Sequence, residues 1–161
     1  MNLVSILQAG RRDFLEATSD IAVGVRPRNG WSVLECIEHV VTVEDRYLEW
    51  LSTAKEIEPF RDAEKELRLF AAARSRLTKV ETPEPFRPSG RFAMIEDALA
   101  AFAALRDRGI SLVRERGDGL YGMGVRHPRW GDLNGAECVQ LMDAHARRHA
   151  DQIREIVEEA E

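Results

Sequence analysis

Three histidines offer the most specific chemistry in this sequence. His145 and His149 stand four residues apart in His145-Ala146-Arg147-Arg148-His149. On a helix that spacing puts both imidazoles on one face, about 6 Å of rise apart, so both can turn toward one point. The same face is apolar: Met142, Ala146, Ile153 and Ile156 flank the histidines, while Asp143, Arg147, Asp151 and Arg154 lie around the opposite side. Imidazoles directed into a core need partners, because a buried unsatisfied polar group costs about 1–3 kcal/mol. A metal ion satisfies both at once. His39, on a second amphipathic segment, is the third candidate, since helical bundles build metal sites from side chains on facing helices. Three neutral imidazoles with no dedicated fourth protein ligand describe an open, zinc-like site. Imidazole also suits nickel, iron and copper, so the residues alone leave the ion open.

The neighbours of these histidines each have a functional and a structural reading. Gln152, three residues after His149, can hydrogen-bond an imidazole or pack between helices. Glu44 follows His39 by five residues, about 140° around a helix, so it is no direct ligand. It reads as a solvated glutamate or as a group in the outer shell of the site. Cys36, one turn before His39, reads as a small buried hydrophobe, and Cys138 lies too far from His145 to share an ion. His127 precedes a proline, which favours an extended turn residue over a fourth ligand. Trp31, Trp50 and Trp130 suit anchors at the bundle ends, and Trp130 with Tyr121 suits a pocket mouth.

Long helices must position these groups. Leu3 to about Val23 places Leu7, Phe14 and Ile21 near one stripe, ended by Gly24, Pro27 and Gly30. Ser32 with Glu35 three residues on forms a capping box, and Val33 to Leu51 then run at helical spacing toward Pro59. A third helix is expected from Asp62 to Lys79, followed by a loop holding Pro83, Pro85 and Pro88. A fourth spans about Met94 to Arg116. Gly117 to Leu133 is rich in glycine and reads as a long functional loop, because loops of this length in compact domains are often functional. Asn134, with Glu137 three residues later, caps a last helix to about Glu158. No segment shows strand period. The whole is expected to be all-α: one domain, an up-and-down four-helix bundle with an additional short helix or long loop.

Composition excludes several classes. A chain of 161 residues with 44% hydrophobic and 32% charged residues can bury a real core. A net charge of -5 argues against general affinity for nucleic acid or anionic membrane. The local pairs Arg11-Arg12 and Arg147-Arg148 are interleaved with acids, as on a solvated helix face. Two cysteines without CxxC spacing fit reduced thiols in a cytosol. The stretch Met1 to Leu7 is too short and wrongly flanked for a signal peptide, and no run approaches the roughly 20 apolar residues of a membrane span. A cytoplasmic location is expected.

Three stretches together resemble the DinB/YfiT-like superfamily. Trp31-Ser32 through Glu35 to His39 resembles its "W-S-x-x-E-x-x-x-H" helix entry, and His127-Pro128-Arg129-Trp130-Gly131-Asp132-Leu133 its "H-P-x-x-G-x-L" turn. His145 through His149 to Gln152-Ile153 resembles its "H-x-x-x-H-x-x-Q-I" final helix. The motifs fall in the family's order, and the helical pattern covers nearly the whole chain. The resemblance implies a four-helix bundle, usually a homodimer, with one divalent ion (zinc or nickel foremost) held by His39, His145 and His149. It implies a metal-dependent transferase that uses a low-molecular-weight thiol on a small-molecule substrate. A metal-dependent hydrolase and a non-enzymatic stress-response protein with a vestigial metal site are the family's alternatives. No motif identifies the thiol or the substrate.

Overall fold

Local capping chemistry decides where the helices of this chain begin. In the computed structural model, which describes residues 2–161, they are α1 (Leu3–Ala17), α2 (Val33–Ser52), α3 (Ala63–Arg74), α4 (Ile95–Arg116) and α5 (Gly135–Ala160). Asn2 opens α1, its side-chain oxygen accepting from the Val4 N–H at 2.8 Å. Both expected capping boxes are present. Ser32 Oγ accepts from the Glu35 N–H at 3.1 Å while Glu35 accepts from the Ser32 N–H at 3.2 Å. Asn134 and Glu137 make the same reciprocal pair at 2.8 and 2.9 Å. Each box satisfies donors that a helix start would otherwise leave orphaned.

Helix ends differ more from expectation. α1 stops at Ala17 rather than near Val23, because the Thr18 hydroxyl donates to the Phe14 carbonyl and Asp20 takes a left-handed φ of 55°. α3 stops at Arg74, where Ser75 turns to an extended conformation. α2 ends at Ser52, and the segment before Pro59 pairs as a strand.

That pairing corrects the reading of Gly117 to Leu133 as a loop without strand. Lys55–Glu56 (β1), Met123–His127 (β2) and Gly131–Asn134 (β3) form an antiparallel sheet in the order β1-β2-β3. Strands this short carry too few residues to show alternation, and glycines hide what pattern there is. Gly124 is required by contact, since a Cβ there would lie 2.6 Å from Ile57 Cγ2. Gly131 supplies the φ of 77° that turns β2 into β3.

The expected four-helix bundle is present. α1 and α2 each pack against both α4 and α5, so the ring reads α1-α4-α2-α5 and α1 faces α2 across the diagonal. α3 lies outside the ring against α5. One apolar cluster gathers Leu7, Leu48, Leu51, Val139 and Met142 at the sheet end. Another gathers Phe14, Ile37, Val41, Phe102 and Ile153. Fully burying one such side chain contributes about 1.5–3 kcal/mol.

The ring also encloses an ion network. Arg106 of α4 is fully buried. Its guanidinium donates to Glu44 of α2 at 2.5 and 3.1 Å, to Asp143 of α5 at 2.8 Å and to the Leu7 carbonyl of α1 at 2.9 Å. Arg147 closes the charge balance with a 2.8 Å bond to Asp143. One side chain thus ties all four helices of the ring. Gly10 permits the approach of α1, since a Cβ there would sit 1.8 Å from Asp143 Oδ1. Cys36 and Cys138 are free and buried, and burial pushes both thiols up to about 12. No helix among the described residues is long and apolar enough to cross a membrane.

Candidate metal centre

Packing of α2 against α5 brings His39, His145 and His149 together. One ligand nitrogen from each lies within 4.8 Å of the other two. His39 Nε2 and His145 Nε2 are 3.0 Å apart.

Hydrogen bonds on the far sides of two rings set their tautomers. His39 Nδ1 lies 2.6 Å from the Phe86 carbonyl oxygen, which can only accept, so Nδ1 carries the proton. His149 Nδ1 donates likewise to Gln152 Oε1 at 2.7 Å. Both Nε2 atoms are therefore bare lone pairs, and His145 adds a third ring nitrogen. At most one N–H, that of His145, is available among three converging nitrogens. A divalent cation resolves this arrangement. Zinc binds imidazole nitrogen at about 2.0–2.1 Å, so tetrahedral ligands stand roughly 3.4 Å apart, within the spread seen here. The donor set fits a metal ion.

Electrostatics agree with that fit. Burial pushes the pKa of all three histidines below the ordinary value, and for His145 the neighbouring His149 and His39 add to the depression. They are neutral at pH 7, which is the form that ligates.

The site opens into a cavity of about 880 Å³, walled by aromatic groups that include Trp31, Tyr47, Trp50 and Trp130. His127, the last residue of β2, lines it without joining the three-histidine group. Its Nδ1 accepts backbone N–H bonds from Arg129 at 3.0 Å and Trp130 at 3.1 Å, so the ring proton sits on Nε2. That N–H donates to Tyr47 Oη at 2.9 Å. The Tyr47 hydroxyl hydrogen then has no acceptor among the described residues and is left to whatever enters the cavity. Burial pushes the Tyr47 phenol up, so it stays protonated. Burial, then the Arg129 charge, pushes His127 down to about 4.

The remaining candidates sort themselves by contact. Gln152 takes the imidazole-bonding role open to it in the sequence. Glu44 is neither solvated nor beside the histidines, because it is spent on Arg106. Cys36 belongs to the apolar core. Trp130 lines the cavity, whereas Tyr121 sits under Arg61, away from it. Phe86 and Tyr47 escape sequence reasoning. Phe86 acts through its carbonyl, which any residue has, in a short 3-10 turn (Glu84–Phe86) within the proline-rich stretch. Glu38 pins that stretch to α2 by accepting from the Ser89 and Arg91 N–H groups. Tyr47 looks like one more apolar-stripe residue, and only its pairing with His127 distinguishes it.

Comparison with known proteins agrees with the geometry. The family model of the DinB superfamily matches residues 7–153. No curated protein matches the chain. Among solved structures the chain is similar to YfiT from Bacillus subtilis, described as a probable metal-dependent hydrolase with an unusual four-helix bundle topology. The TM-score is 0.63 at 17% identity, over 98% of this chain and 85% of that one. At that identity the likeness is one of fold.

Proposed function

The chain belongs to the DinB superfamily, and on that premise we propose that it is a metal-dependent hydrolase of a small molecule seated above His39, His145 and His149. The carrying observation is the pair of bare Nε2 atoms, presented by Nδ1–H hydrogen bonds to the Phe86 carbonyl and Gln152 Oε1 at the base of an open cavity. The description of YfiT points to the same class.

His39, His145 and His149 hold the ion. When bound, a divalent ion such as zinc or nickel supplies Lewis acidity, polarising a substrate oxygen and acidifying water or a thiol. Phe86 and Gln152 keep the imidazoles turned inward, as outer partners of ligating histidines do. Tyr47 donates its free O–H to the substrate oxygen that gains charge, and His127 holds that hydroxyl in place. The tryptophans limit water around the reacting groups.

A second reading, transfer of a low-molecular-weight thiol to an electrophile, is favoured by cavity size. Ligand pockets span about 300–1,000 Å³, and this one is large enough for thiol and acceptor together. Cobalt-substituted protein separates the two. Hydrolysis predicts a spectrum that changes with pH near 7 and little response to added thiol. Thiol transfer predicts a sulfur-to-cobalt charge-transfer band, lost in His145→Ala and kept in Cys36→Ala. A cobalt protein with neither response would contradict both enzymatic readings and leave a binding protein with a vestigial site.

A further inference from the structure

Beyond the histidines, the charge of the cavity wall is one-sided. Arg46, Arg76, Lys79, Arg87, Arg129 and Arg148 line it, with Glu81 as the sole lining carboxylate. Three of these cations are already paired: Arg46 with Glu49 at 3.4 Å, Arg87 with Glu81 at 3.6 Å and Arg76 with Glu155 at 2.8 Å. Arg129 and Arg148 have no carboxylate partner among the described residues. Arg148, half-buried, gives one N–H to the Thr78 carbonyl at 2.8 Å and keeps the rest of its fork. Arg129 lies over the Trp130 ring at 4.5 Å, which fixes its plane and leaves its edge donors free. Arg148 adjoins His149 on α5, and Arg129 sits in the turn between β2 and β3, so the two reach one cavity from different elements.

Like charges gathered on the wall of one cavity repel, and that repulsion is relieved by an anion. Overall charge gives no reason for a cationic wall, since the chain is at -5.

We propose that Arg129 and Arg148 form a seat for an anionic group, a carboxylate or a phosphate, so that the substrate is a small anion whose reacting end faces the three histidines. Planar guanidinium forks match both groups bidentately, which orients as well as attracts. The proposal rests on reading the cavity as the active site.

Calorimetric titration of zinc-loaded protein with inorganic phosphate and, separately, with succinate tests it. One site per chain is expected for at least one anion, and the tighter of the two identifies the chemical source. Arg129→Gln and Arg148→Gln should each weaken binding about tenfold or more, as loss of a charge-assisted hydrogen bond does. Arg108→Gln, which removes an exposed cation outside the cavity wall, should change little. Arg129 is exposed, so its variant keeps the fold even if Arg148→Gln does not. The His149→Ala protein keeps this test apart from the metal reading. Arginine-dependent binding that persists there upholds the seat even if the metal assignment fails. Binding that vanishes in His149→Ala yet is unchanged in both arginine variants would overturn the seat. Failure of both anions to bind wild-type protein at millimolar concentration would overturn it as well.

Discussion

Tyr47 and His127 show how much a single proton assignment decides. Two backbone N–H groups occupy His127 Nδ1, which forces the ring proton onto Nε2 and toward Tyr47, and so frees the phenol hydrogen for the cavity. Tyr47→Phe should therefore keep its metal and fold while hydrolysis of 4-nitrophenyl acetate, as a probe ester, falls about 100-fold, the cost of losing one fixed oxyanion donor. Unchanged hydrolysis would remove Tyr47 from the reaction. His127 makes a separate prediction about pH. Its pKa is about 4 in the folded chain and near 6.5 when unfolded, so between those values only the unfolded chain takes up the proton. Stability from this group is complete above about 6.5 and is lost as pH falls toward 4. Denaturant melts of His127→Gln should show a flatter loss of stability between pH 6.5 and 5 than wild type, and an identical slope would contradict the assignment. At this scale the sequence is legible where residue type and spacing coincide. His145 and His149 declare themselves by four-residue spacing on an apolar face. Phe86 is not legible, because its contribution is a backbone oxygen brought from 47 residues away.

Among the elements, the helix starts were readable because caps are local. Ser32 and Asn134 each act within three residues, and both boxes form as their sequences imply. Their costs should differ. Ser32→Ala should destabilise by about 0.5–1 kcal/mol and Asn134→Ala by nearer 2, within the range for lost caps. The difference arises because buried Asn134 also donates to the Phe60 carbonyl at 2.8 Å. Equal shifts in denaturant midpoint would contradict that extra role. The sheet was not readable, since β1 has only two residues and its partner lies far along the chain. Nor was Arg106, one of 23 Lys and Arg residues, which only the packing of four helices singles out. Arg106→Met would strand Glu44 in the core without its partner and leave Asp143 with Arg147 alone. Removal of one member of a buried ion network costs about 3–5 kcal/mol, and a chemical melt should show a loss of that size. A stability equal to wild type would mean that water reaches the network.

As a whole molecule, the chain joins a bundle, an open cavity and a buried cluster of three imidazoles. Hydrophobic periodicity conveyed the number of helices. The ring order α1-α4-α2-α5 depends instead on which faces meet, and no single segment carries that information. That order sets α2 beside α5 and so gathers the three histidines, which makes metal binding the proposed property on which fold and function both bear. Its direct test is elemental analysis of purified, zinc-equilibrated protein beside a His39→Ala, His145→Ala, His149→Ala triple variant. A three-histidine centre should carry about one divalent ion per wild-type chain, and an amount near zero in a triple variant that still gives a helical spectrum. Near-stoichiometric metal in that variant, or none in wild type, would contradict it.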